Sequence, residues 1–204
     1  MFGLEVVISS IVSCIVKNPE VALRCLKIIC DIAIGVLKGL DVLGPNSNIE
    51  ELTDKAILAE EDGITPDSCG SFEEYMKKID EYDIDPERVA SITEEKRTQK
   101  TAELTTRFAK EVLNGFPVSQ FLPLVCENPE YFTAEKIALI SERIGKDKKV
   151  LGDDMICYFR EQDRQEDYIL KVEDVLIEIE QAINPKLSEE EALDNILEVC
   201  RKQV

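Results

Sequence analysis

The first 43 residues are mostly apolar, and the rest of the chain is strongly acidic. That contrast limits what the chain can fold into. Leu4, Val7, Ile8, Ile11 and Ile15 recur at the steps of one helix face, while Glu5, Ser9, Ser13 and Lys17 fall on the opposite stripe. β-Branched residues are abundant here and favour strands, but the spacing favours a helix. Asn18-Pro19-Glu20 then supplies a cap position, a proline suited to a first helical turn, and an acid near the positive end of the helix dipole. A second helix is expected to run to about Leu43, with Arg24, Lys27, Asp31, Lys38, Gly35 and Gly39 as its narrow polar stripe. Gly44-Pro45-Asn46-Ser47 ends it and reads as the clearest linker in the chain. The expectation is an apolar N-terminal helical hairpin over residues 1–45, buried as core in the preferred reading or else a docking or membrane-surface element, followed by an acidic helical domain over 46–204.

Helix signals continue to the end of the chain. Asn48-Ile49-Glu50-Glu51, Ser71-Phe72-Glu73-Glu74 and Ser188-Glu189-Glu190-Glu191 have the capping-box form, in which an N-cap side chain and an acid three residues later satisfy each other's backbone donors. Asp85-Pro86-Glu87 is expected to open one long helix ending near Gly115, whose polar middle, Thr93 to Thr101, projects into solvent or packs only partly. Phe116 to Cys126 is a short apolar segment, a second Asn-Pro-Glu follows at Asn128, and Thr133 is placed to cap a helix through about Arg143. Lys146 to Lys149 with Gly152 make a basic break.

Leu151, Met155, Tyr158, Gln162, Gln165, Ile169, Val172, Leu176, Ile179 and Ile183 alternate in steps of three and four, the pattern of a heptad seam. The predicted fold is all-α, a bundle of about seven to nine helices ordered around that seam. With no Trp and few aromatics, its core is expected to consist of Leu, Ile and Val.

Charge is concentrated in two blocks. Residues 46–88 hold fourteen acids against four bases, and residues 151–204 hold fifteen against six. Such surfaces repel phosphate backbones, so direct nucleic-acid binding is not expected, whereas a basic protein would be attracted. The seven cysteines are odd in number, none is spaced C-x-x-C, and most sit in apolar helical runs. That usage points to a reducing compartment, the cytoplasm, rather than to a disulfide framework. The start, Met1-Phe2-Gly3-Leu4-Glu5, lacks the basic region of a secretory signal.

The chain has no histidine. Ser-His-Asp and Cys-His arrangements and histidine-containing zinc sites are therefore absent. No glycine-rich phosphate loop occurs. Numbering Asp83 as the first position of a calcium loop puts Asp85, Glu87 and Glu94 at ligand positions, but Arg88 stands where the loop needs glycine. An Asp85 cap before Pro86 explains the same residues. Gly35-Val36-Leu37-Lys38-Gly39 has the G-x-x-x-G form, for which tight helix packing is expected.

The first apolar run, about 14 residues and about 21 Å as a helix, is too short to span a bilayer. The second carries Arg24, Lys27, Asp31 and Lys38, each costing about 2.5–3.5 kcal/mol at mid-membrane. The expected function is therefore non-enzymatic, without cofactor or metal: a helical adaptor or regulator that binds another protein. Two alternatives accompany it. One is an acidic mimic that occupies the nucleic-acid groove of a basic protein, and the other is a peripheral membrane protein held through residues 1–43. The candidate interaction residues are Ile11, Ile15, Leu26, Ile29 and Leu37 on the apolar segment and Glu73, Glu74, Asp80 and Asp83 on the acidic one. Self-association through the Leu151–Ile183 seam is a further expectation.

Overall fold

The computed structural model describes residues 4–113, 115–146, 152–160 and 166–201. Among them there are eleven α-helices and no strand. In chain order these are α1 (Leu4–Lys17), α2 (Pro19–Gly39), α3 (Ile49–Glu61), α4 (Phe72–Asp80), α5 (Pro86–Ser91), α6 (Glu94–Glu111), α7 (Val118–Glu127), α8 (Ala134–Lys146), α9 (Gly152–Phe159), α10 (Glu166–Ile183) and α11 (Glu189–Arg201). A single 3-10 turn, Pro66–Ser68, lies between α3 and α4. The all-α expectation holds, and the helix number exceeds the expected seven to nine.

One reason is a break in the helix expected to run from Asp85 to Gly115. Thr93 adopts an extended conformation (φ −76°, ψ 152°), and its hydroxyl accepts a hydrogen bond from Lys96 N. The preceding Ile92 is buried with Ile57 and Leu58. A cap and an apolar anchor together start a new helix at Glu94. The heptad seam is likewise divided between α9 and α10, and Leu151, Gln162 and Gln165 lie outside the described residues. Of its described positions Met155, Val172, Leu176 and Ile179 are buried and Tyr158, Ile169 and Ile183 are half-buried, and α10 packs against α8, α9 and α11.

The local signals behave as their chemistry dictates. Ser188 and Glu191 form a complete capping box: Ser188 N donates to Glu191 Oε2 at 2.9 Å and Glu191 N to Ser188 Oγ at 3.2 Å. Asn48, Ser71, Asp85 and Thr133 also accept from backbone N–H groups in their helices' first turns. The two Asn-Pro-Glu tripeptides differ. The first begins α2, whereas Asn128 ends α7 and donates its amide to Leu124 O.

α1 and α2 are joined by Asn18 alone. Asn18 N donates to Cys14 O, and Ala22 N donates to Asn18 O, each at 2.9 Å. Helical bonding therefore runs through the junction, and Pro19, which lacks an N–H, marks the irregularity. A turn-back between antiparallel helices usually takes about two to five residues, so the junction does not establish a hairpin. α1 packs against α6 and α7 as well as α2, and α2 against α8, α6 and α7.

One continuous buried cluster runs from Ile11 to Cys200 and includes side chains from both the 1–45 and the 46–204 segments. Its centre is more aromatic than composition suggests. Phe116, Phe121, Phe132 and Phe159 meet edge to face, with ring centres 5.1, 5.5 and 5.6 Å apart in succession. Such contacts stabilise beyond area burial, by about 0.5–1.5 kcal/mol each. Few aromatics suffice because the folded chain gathers them in one place.

Two further expectations change. Gly44–Ser47 is anchored: Asp80 Oδ2 accepts from Gly44 N at 2.8 Å, Asp80 Oδ1 accepts from Ser47 Oγ, and Lys55 Nζ donates to Asp80 O at 2.6 Å. A side chain at Gly35 or Gly39 would meet nothing within 4 Å. The G-x-x-x-G stretch therefore faces open space, because Ala33, Ile34 and Leu37 take the buried face of α2.

Candidate functional site

A groove of about 760 Å³ lies between α1, α3 and α6. Its apolar wall follows from helix spacing. Ile8 and Val12 are four residues apart on α1, and Ile57 of α3 adds to them. The exposed hydroxyls of Ser9 and Ser13 form the lip. The opposite wall is polar: Lys96, Gln99, Lys100 and Glu103 recur along one face of α6, facing Glu60 and Glu61 of α3.

The charges of that wall are matched within the protein. Lys100 Nζ lies 2.5 Å from Glu60 Oε2 and 2.6 Å from Glu103 Oε2, and its side chain is only 11% exposed. Glu103 Oε1 accepts from Arg107 Nε at 3.0 Å. Burial pushes the Glu103 carboxyl up, but Lys100 and Arg107 outweigh it and hold the carboxyl below its ordinary range. Outside the lip, Lys96 pairs with Glu61 at 3.2 Å, Glu61 with Arg88 at 3.3 Å, and Arg88 with Asp62 at 3.0 Å. Lys96 and Arg88 hold the Glu61 carboxyl low as well. Tyr82 donates its hydroxyl to Asp62.

General acid–base work at neutral pH needs a group titrating near 7, and the shifted carboxyls Glu61 and Glu103 move away from it. The volume lies in the range of ligand clefts, about 300–1,000 Å³. An apolar strip opposite a ladder of satisfied ion pairs suits an amphipathic surface, with burial on one side and register on the other.

The sequence-derived candidates fall elsewhere. Ile11, Ile15, Leu26, Ile29 and Leu37 are between 0% and 6% exposed, so they face the core of this chain. The apolar periodicity that singled them out reports burial within the fold. Asp80 is occupied in holding the Gly44–Ser47 turn. Glu74 is exposed, but accepts from Gly70 N at 2.9 Å and pairs with Lys78 at 2.7 Å. Glu73 and Asp83 are exposed. Glu73 borders a smaller cleft of about 290 Å³ beside Val36, Leu40, Phe72 and Val112. None of these nine residues lines the α1–α3–α6 groove.

The groove residues themselves left only faint marks in the sequence. Ile8 belonged to the expected apolar face, and Val12 flanks it. Lys96 and Lys100 lie in the polar Thr93–Thr101 stretch, which is exposed or half-buried as its composition suggested. The extra signal was the i, i+3, i+4 recurrence of opposite charges through Lys100, Glu103 and Arg107.

Among the described residues, no three His, Cys, Asp or Glu side chains are grouped to hold a metal ion. None of the described helices is long and apolar enough to cross a membrane. Compared with family models, curated proteins and solved structures, the chain has no match.

Proposed function

We propose that this chain is a non-enzymatic helical protein that works by binding another protein, as an adaptor or regulator in a reducing compartment such as the cytoplasm. The observation that carries this reading is the α1–α3–α6 groove, whose apolar wall of Ile8, Val12 and Ile57 faces a ladder of paired charges. A wall that satisfies its own charges gains little from a small ion, and it aligns a larger amphipathic surface without leaving buried groups unpaired. The odd number of cysteines and their placement on helices support the compartment.

The test is a pair of charge insertions on the lip, Ser9→Arg with Ser13→Arg. Both positions are exposed, so circular dichroism should match the wild type. Proteins that cross-link to the wild-type chain at the groove should be lost by the double variant. An unchanged interaction profile, or substrate turnover by the purified chain, would sink the proposal.

A second reading, an acidic mimic of nucleic acid, is supported by the exposed acids Glu73, Asp83 and Glu87 around α4 and α5. It predicts binding to a basic partner that weakens steeply with salt. Attachment to a membrane surface through residues 1–43 has less support, because the main apolar faces of α1 and α2 are turned into the core. What remains outside is Val6, Val16 and Leu23, with Val36 and Leu40 beside the smaller cleft.

A further inference from the structure

The smaller cleft, where the end of α2, the start of α4 and the end of α6 meet, differs in charge from the α1–α3–α6 groove. Val36 and Leu40, four residues apart at the end of α2, line it and stay 38% and 60% exposed. Phe72 of α4 and Val112, just after α6, complete the apolar wall and are half-buried. Phe72 is held edge to face on Phe108, with ring centres 5.8 Å apart. The charged residues of the lining are Glu73 and Glu111, both exposed acids. Glu73 takes part in no ion pair among the described residues. Glu111 pairs with its exposed neighbour Lys110 at 2.7 Å, a surface contact that a partner's cation replaces at little cost. Asp41, exposed beside Leu40, adds a third acid at the end of α2.

We infer that this cleft is the docking site of a basic amphipathic helix from a partner protein. The helix's apolar anchors enter between Val36, Leu40, Phe72 and Val112, and its Lys or Arg side chains meet Glu73, Glu111 and Asp41. At about 290 Å³ the cleft falls just below the range of small-molecule clefts, about 300–1,000 Å³. That size suits anchoring side chains rather than a whole ligand. Val36 and Leu40 repeat at the i, i+4 step of a helix laid alongside. Gly35 and Gly39 next to them leave the α2 backbone open, since a side chain there would meet nothing within 4 Å. The acidic rim selects positive charge and repels phosphate backbones and anionic membrane surfaces. A second copy of this chain, with its net charge of −18, is repelled as well. The inference stands whatever occupies the α1–α3–α6 groove.

The test titrates the full chain into a dye-labelled synthetic helix of about 18 residues, five turns long, with Leu on one face and Lys on the other, and follows fluorescence anisotropy. A companion helix with Gln in place of Lys keeps the apolar face without the charge. The Lys helix should bind, more weakly as salt rises, and the Gln helix should bind at least about fivefold more weakly. Leu40→Ser, and Glu73→Gln with Glu111→Gln, should each weaken Lys-helix binding about fivefold or more. Glu189→Gln with Glu190→Gln makes the same charge change on α11 and should alter binding less than about twofold. All five positions are exposed, and circular dichroism checks that each variant keeps the wild-type helicity. A photoreactive group on the Leu face should cross-link to the segment carrying Phe72 or Val112. No binding by the wild type, equal loss in the cleft and α11 pairs, equal affinity for the two helices, or cross-links confined to other faces would each overturn the inference. Self-association of the chain that Leu40→Ser abolishes would overturn it too, by making a second copy the occupant.

Discussion

Lys136 Nζ lies 2.5 Å from Glu180 Oε1, joining α8 to α10 with both side chains under 10% exposed. The ammonium also sits 3.6 Å from the centre of the Tyr131 ring. It thus meets a buried carboxylate and an aromatic face at once.

Removing one partner leaves the other charge buried and unpaired. Lys136→Met or Glu180→Gln should each destabilise the protein by about 3–5 kcal/mol, while Lys136→Met combined with Glu180→Leu should recover much of the loss. Urea denaturation of the three variants checks this. Additive losses in the double variant would show that the pair is not coupled.

Arg97 is the tie for the helix break at Thr93. Its guanidinium bonds Asp54 through Nε at 2.7 Å and Nη2 at 3.3 Å, and also reaches Ile92 O and Val89 O. A lysine cannot reproduce that fork. Arg97→Lys should cost about 1–3 kcal/mol, the scale of hydrogen bonds to charged groups. Amide hydrogen exchange should speed up first over Pro86–Ser91, the short helix these bonds hold.

Glu103 makes stability depend on pH in a definite direction. Its folded carboxyl titrates below the unfolded value because Lys100 and Arg107 outweigh burial. Its contribution is therefore present above the ordinary glutamate range, near about 4.3, and is lost as pH falls through the lower folded value. Acid also relieves the repulsion of a chain with net charge −18, so the informative quantity is a difference. Wild type should exceed Glu103→Gln in stability at pH 7, and the gap should close as the pH is lowered past that range.

A chain beginning at Asn46 should lose cooperative unfolding. It lacks Ile11, Cys25, Leu26, Ile29, Ala33 and Leu37, all essentially unexposed members of the common core. Single large-to-small changes at such sites cost about 2–5 kcal/mol, and the deletion removes many at once. Thermal denaturation followed by circular dichroism would decide it. A sharp transition in the shortened chain would mean that 46–204 folds on its own.

Much of this architecture was legible in the sequence, and the reason is locality. Capping bonds such as Ser188 with Glu191 reach three residues, and an apolar face such as Ile8, Ile11 and Ile15 repeats within two turns. Both are therefore set by the chain itself, whichever elements lie beyond. Even the misjudged Asp85–Gly115 helix began where Asp85 and Pro86 placed it, and it broke at a threonine able to cap.

What covers each face is a different kind of fact. Periodicity showed that Ile11, Leu26 and Leu37 lie on apolar faces. Only the packing of α1 on α6 and α7 and of α2 on α8 turned those faces inward. It also left Gly35 and Gly39 open, carried the ladder of α6 to Glu60, and gathered four phenylalanines in one cluster. These pairings join residues remote in sequence, through the summed burial of many side chains, and no local pattern encodes which distant face will be the partner.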